Sequence, residues 1–175
     1  MKKKTIILGI DPGFKITGLS IIELNKLNKI LILYKKEIKF KIKNNYMIKM
    51  NYIYNKIKKI IKKYNPNILI MESSFLGKNV NSLRRLIQCQ SSIILAAKYY
   101  NKKIIEYSPK TIKYLITGYG NSTKKELKIK IEKILNINLN YNNKYDISDS
   151  LGIALSYLYK KKNFKIKINN LIFYF

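Results

Sequence analysis

Four of the nine acidic residues in this chain stand where carboxylates could act together. Asp11 and Glu72 each follow directly on an uncharged apolar run, residues 5–10 and 68–71, so neighbouring strands of one sheet would release both acids at the same end. Asp146 and Asp149 lie three apart at the head of a predicted helix and therefore share one of its faces. Converging carboxylates repel one another unless protons or cations neutralise them. Hard, oxygen-liganded Mg²⁺, with Mn²⁺ as the alternative, suits such a donor set, and the chain has no histidine to favour zinc. Two such ions, roughly 3.5–4 Å apart, could activate water and stabilise the leaving oxygen in phosphodiester hydrolysis.

Taken singly, each acid has an ordinary structural use. Asp11 could open the Asp-Pro-Gly turn, Glu72 could be an exposed strand end, Asp146 a helix N-cap and Asp149 a first-turn acid favoured by the helix dipole. The joint pattern is what points to chemistry, because acids inside apolar segments are expensive in a chain with so few of them.

Lys and Arg total 36, giving a formal net charge of +27 that would attract polyphosphate. Arg84 and Arg85 are the only arginines, and the lysine sits amid abundant Ile, Asn and Tyr, as an AT-rich genome would write it. The lysine excess is thus weak testimony to a nucleic-acid partner. Cys89 stands alone, so no intrachain disulfide forms. The Lys-rich start precedes an apolar run too short for a signal peptide, and no run of about 18 apolar residues is present to span a bilayer. The expectation is a cytoplasmic protein with no membrane association.

The elements that must position the acids follow from periodicity. Residues 5–10, 17–22 and 30–40 read as an antiparallel meander. Residues 43–64 repeat Tyr46, Met50, Ile53, Ile57, Ile60 and Tyr64 at helical spacing, and Asn65-Pro66-Asn67 stops the helix. A strand over 68–71, a helix over 82–100 and a strand over 103–107 follow. Ser108-Pro109 is a cap followed by proline in the first turn. Thr123 and Glu126 form a capping-box pattern, and a last helix covers 146–160. The alternation is that of an α/β domain. One domain spans residues 1–160, and the apolar tail, 161–175, is expected to pack on it or on a second subunit.

The ordered set 7-Ile-Leu-Gly-Ile-Asp-Pro-Gly-13 with Thr17-Gly18, Met71-Glu72 with Phe75 and Lys78-Asn79, Gly118-Tyr-Gly120 with Lys124, and Asp146-Ile-Ser-Asp149 with Ala154 resembles the RuvC family of Holliday-junction resolvases, from about residue 5 to 157. The resemblance implies an RNase H-like fold, a mixed central sheet flanked by helices on both faces. It implies a homodimer that resolves four-way DNA junctions by paired nicks with Mg²⁺, in recombination and repair. Junction-binding and branch-migration partners are implied through the family alone. Under it, Asp11, Glu72, Asp146 and Asp149 take the metal-binding catalytic positions, Lys113 and Lys124 approach the DNA backbone near the cut, and Phe75 stands at the junction centre. Lys78, Asn79, Arg84 and Arg85 complete the DNA-binding candidates, the arginines either reaching DNA or solvating the helix that forms the interface. One departure falls in that helix: family members commonly show Gly-Gln-x-Arg-Gly where this chain has Ile87-Gln88-Cys89-Gln90-Ser91.

Rival readings are a YqgF-type RNase H-like nuclease in RNA processing and a noncatalytic lysine-rich module that binds nucleic acid by charge alone. The segment 9–18 also resembles the phosphate hairpin of actin-like ATPases, but the chain is too short for their second lobe.

Overall fold

A computed structural model describes residues 4–39, 45–74, 79–139 and 145–161, with the backbone of a short strand pair at 167–168 and 171–172. Strands β1 (Thr5–Asp11), β2 (Ile16–Leu24) and β3 (Ile30–Lys39) form the expected antiparallel meander. Helix α1 (Tyr46–Tyr64) leads to β4 (Ile68–Glu72), helix α2 (Val80–Tyr99) to β5 (Lys103–Tyr107), and α3 (Pro109–Thr117), α4 (Lys124–Leu135) and α5 (Asp146–Lys160) complete the domain. The sheet order is β3-β2-β1-β4-β5, with β4 parallel to both β1 and β5. The sheet is therefore mixed, as expected.

Strand side chains alternate between faces, and both faces are buried. Leu8, Ile10, Leu19, Ile21, Leu69 and Met71 pack with Ile53, Ile57, Cys89 and Ile93 of α1 and α2. Ile7, Ile22, Ile68 and Ile70 pack on the other side with Ile112, Ile131, Leu151, Ala154 and Leu155 of α3, α4 and α5. By the same parity Asp11 and Glu72 belong to the α5 face.

Local chemistry accounts for the helix ends. Asn65 ends α1 in the left-handed region at φ 44°. The Ser108 side chain caps α3 with proline in the first turn, and Gly118 ends it at φ 84°. Thr123 and Glu126 make the full capping box at the head of α4. Helix α2 begins two residues before the expected start, because the Asn79 side chain accepts the Ser82 amide at 3.0 Å and caps it there. The packing expected of the tail lies outside the described residues, where only the β6 (Lys167–Ile168) and β7 (Leu171–Ile172) backbone pairing is defined.

Helix α5 lies directly on the backbone of the sheet. A methyl group at Gly9 would run into the Ser150 carbonyl oxygen and stand 2.8 Å from the Ala154 Cβ, and one at Gly18 would strike the Asp146 carbonyl oxygen. Neither neighbour can yield, since both oxygens are helix backbone. Gly9→Ala is therefore expected to cost about 3 kcal/mol of stability, an overpacking penalty with no room to relax; urea unfolding monitored by circular dichroism measures it.

Candidate active site

Strand pairing brings the first two acids together. Ile10 is level with Met71 in the parallel β1–β4 pair, so Asp11 and Glu72 follow side by side at the carboxyl ends of adjacent strands. Asp11 is also paired with Gly18 of β2, the residue that gives α5 room to approach. Helix α5 starts at Asp146, and Tyr145 before it makes no side-chain cap, so neither Asp146 nor Asp149 serves as N-cap. Both stand in the first turn, where the helix dipole favours a negative charge. Three elements thus bring four carboxylates to the same end of the sheet.

The electrostatics record their proximity. Burial pushes the Asp11 carboxyl from 3.8 up to about 8, with the charges of Asp149, Glu72 and Asp146 adding to the shift and Lys124 opposing it. Burial also raises Glu72, reinforced by Asp149 and opposed by Lys124 and Lys113. Asp149 is raised in the same way, burial outweighing the help of Lys124 and Lys113. Lys124, at the first position of α4, places its ammonium 3.1 Å from Asp149 Oδ2. Burial pulls its pKa down, but the attraction of Asp149, Asp11 and Asp146 more than offsets that, and the net shift is upward. The ion pair therefore keeps the lysine charged without restoring Asp149 to the ordinary carboxylate range.

Lys113 on α3 and Lys124 are brought to the carboxylates, as the sequence predicts. Arg84 and Arg85 are not: they line a cavity between α1 and α2. Asn79 is engaged as a helix cap. Phe75 and Lys78 lie outside the described residues. Two contributors escape the sequence reading. Gln90, buried in α2, donates from Nε2 to the Glu72 carbonyl oxygen at 2.9 Å and so fixes the strand end that carries the acid. Lys49 lies buried on α1; its signal was present, since it falls three residues after Tyr46 and four before Ile53, on the apolar stripe.

The donor set consists of hard carboxylate oxygens, and the one cysteine is buried within the α1–α2 core with its thiol pushed up to about 12 by burial. Such a set fits Mg²⁺ or Mn²⁺ and no softer ion. Among the described residues no three of these side chains close around a single point as ligands would. The Lys124 ammonium stands among them instead, and with 64% of its side chain exposed it is free to withdraw.

Residues 7–157 match the family model described as crossover junction endodeoxyribonuclease RuvC. A relative of that name from Chloroherpeton thalassium is 35% identical over 150 residues, which cover 86% of this chain and 80% of the relative. Another, from Baumannia cicadellinicola, is 33% identical over 169 residues, covering 96% and 95%. The fold is similar to Thermus thermophilus RuvC in complex with a Holliday junction substrate, at a TM-score of 0.78 and 17% identity over 89% of this chain and 94% of that one. It is also similar to the yeast mitochondrial Holliday junction resolvase Ydc2, at 0.65 and 16% identity over 87% and 77%. The RNase H-like architecture follows from these likenesses, and the YqgF-type and noncatalytic readings give way.

The raised acids make stability depend on pH in a set direction. In chelator, folded Asp11 holds its proton up to about pH 8, whereas an ordinary carboxyl gives it up near 3.8. The stabilisation from this group is complete below the lower value and is lost as pH rises through the upper one. Asp11→Asn, neutral throughout, is expected to melt several degrees above the native chain at pH 8 and to gain far less from added Mg²⁺. Thermal melts across pH, with chelator and with Mg²⁺, read both effects.

Proposed function

Because this chain belongs to the RuvC family of crossover junction endodeoxyribonucleases, we propose that it resolves four-way DNA junctions by paired symmetric nicks, with Asp11, Glu72, Asp146 and Asp149 as its catalytic, metal-holding residues. The observation that carries this reading is the cluster itself. Asp11 is pushed to about 8 in a chain of net charge +27, where nothing but other acids and burial could do so. A fold keeps such an arrangement when a cation is to be held there.

The nucleases of this family depend on divalent metal; we assign Mg²⁺, two ions for each site, with Mn²⁺ able to replace it. When bound, such ions acidify water and stabilise charge on the phosphoryl oxygens. The chain supplies the rest. The four carboxylates would hold those ions at the end of the sheet, where β1, β4 and α5 are fixed to one another by strand pairing and close backbone packing. Lys124, paired with Asp149, would be available to a phosphate oxygen if cations neutralised the acids, and Lys113 lowers the cost of bringing a polyanion to Glu72 and Asp149. Phe75 and Lys78, in the segment just after Glu72, are assigned to the junction centre and its backbone, with Asn79 beside them.

Two symmetric nicks call for two sites related by a two-fold axis. Helix α2 carries Val80, Ile87 and Ile94 at heptad spacing, with Leu95 beside them, all exposed. A solvent-facing apolar stripe of this kind suits a second copy of the chain. Among the described residues no helix is long and apolar enough to cross a membrane.

Incubated with a synthetic four-way junction and Mg²⁺, the native protein is expected to release symmetric nicked duplexes, seen on denaturing gels. Asp11→Asn should bind the junction as well but cut it at least about 10³-fold more slowly. Equal cutting of duplex, single-stranded RNA and junction would sink the assignment. Ile94→Glu should shift the protein from dimer to monomer in light scattering and leave single, unpaired nicks; a persistent dimer would mean that another surface joins the subunits.

A further inference from the structure

Beside the turn that follows β1, a cavity of about 360 Å³ opens between the amino-terminal ends of α1 and α2. Phe14 forms one wall, Asn45 and Lys49 of α1 another, and Arg84 and Arg85 of α2 a third. None of the nine acids of the chain lines it. Neither helix has an acid in its first turn, so both amino-terminal dipole ends add to the positive field there. The cationic side chains are also ordered. Lys49, only 6% exposed, stands 4.1 Å from the centre of the Phe14 ring, and the Arg85 guanidinium is 5.2 Å from the same ring.

The residue types narrow the occupant. Wherever a basic residue serves elsewhere, this chain uses lysine; its two arginines, adjacent in sequence, both face this cavity. Lysine is a point charge, whereas the planar guanidinium offers a fork that matches two oxygens of a phosphate. The cavity is also tied to the candidate active site. Phe14 follows Asp11 by three residues, and the carbonyl of Gly13 between them accepts from Thr17 Oγ1 at 3.0 Å and from Cys89 Sγ of α2 at 3.6 Å. The turn that follows Asp11 is thus tied to α2 through the Gly13 carbonyl.

We infer that this cavity is a seat for a single DNA backbone phosphodiester flanking the one that is cut, held by the forks of Arg84 and Arg85 over the fixed charge of Lys49. The inference rests on the nuclease reading given above. Arg84 and Arg85, both exposed, close on the phosphate, while buried Lys49 and the Phe14 ring set the depth to which it enters. Seating that phosphodiester fixes the register of the strand relative to the four carboxylates, without reading base sequence.

The test is a double-mutant cycle between protein and DNA. Junctions carrying one uncharged methylphosphonate at successive positions around the cut are titrated in chelator by fluorescence anisotropy, against the native chain, R84Q/R85Q, and Lys26→Gln on the exposed β2–β3 turn as control. The native chain is expected to lose about tenfold in affinity at one flanking position. R84Q/R85Q should show that loss on unmodified DNA, lose nothing more at that same position, and have a salt-dependence slope lower by about 1. Thermal melting within about 2 °C of the native chain establishes that the variant is folded. Losses that add at every position, or an R84Q/R85Q variant indistinguishable from Lys26→Gln, would overturn the seat while leaving the resolvase reading intact. If the native chain neither prefers nor cuts junctions, the resolvase reading falls, and the same cycle run on duplex still decides the seat.

Discussion

The backbone of β1 and β2 has to be bare at Gly9 and Gly18, because the Ser150 and Asp146 carbonyl oxygens of α5 occupy the space where side chains would be. Helix and sheet meet at backbone distance there, and much of the site depends on it. The α5 surface that makes this approach is correspondingly small. Ser148, Ser150 and Ser156 are buried, and their hydroxyls bond to carbonyls three residues back within the helix, so they ask for no partner in the sheet. Only so thin an interface lets the first turn of α5 sit over the carboxyl end of β1, which is where Asp11 emerges.

That closeness works against itself electrostatically. The packing that brings Asp149 and Asp146 to Asp11 also strips water from them, and desolvation is the largest reason that Asp11, Glu72 and Asp149 hold their protons too tightly. The ammonium groups of Lys124 and Lys113 offset part of the cost, but burying ions with imperfect partners does not recover what hydration gave them. The remaining tension is borne by the two apolar layers on either side of the sheet. Acids placed in this way are poised to be neutralised by ions from solution, which a well-paired salt-bridge network would resist.

Much of this was legible in the sequence where a local signal and a tertiary role coincide. Apolar runs broken by one acid gave away β1 with Asp11 and β4 with Glu72, and the Thr123–Glu126 box marked the start of α4 and with it the position of Lys124. Signals with two meanings were harder. The resemblance marks Asn79 only as a DNA contact, and the structure shows it capping α2. Gln90 stands where relatives commonly carry arginine, and nothing local predicts that its amide reaches across to the Glu72 carbonyl, a contact 18 residues away in the chain. The glycines of β1 and β2 were visible as glycines, but what lies against them belongs to residues 141 and 128 positions later, beyond any periodic pattern.

Charge shows the same division between composition and placement. A lysine count shaped by codon usage says little about a partner, because a solvated lysine costs the fold almost nothing wherever it falls. A lysine that is buried, or one held against carboxylates, does cost the fold something, and so Lys49 and Lys124 carry information that the other lysines do not. The same reasoning gives weight to Arg84 and Arg85. Guanidinium is not the default cation of this chain, and the two of them open onto a cavity that a buried lysine also lines. Position against expectation, more than the total of +27, is what ties this protein's charge to a phosphate backbone.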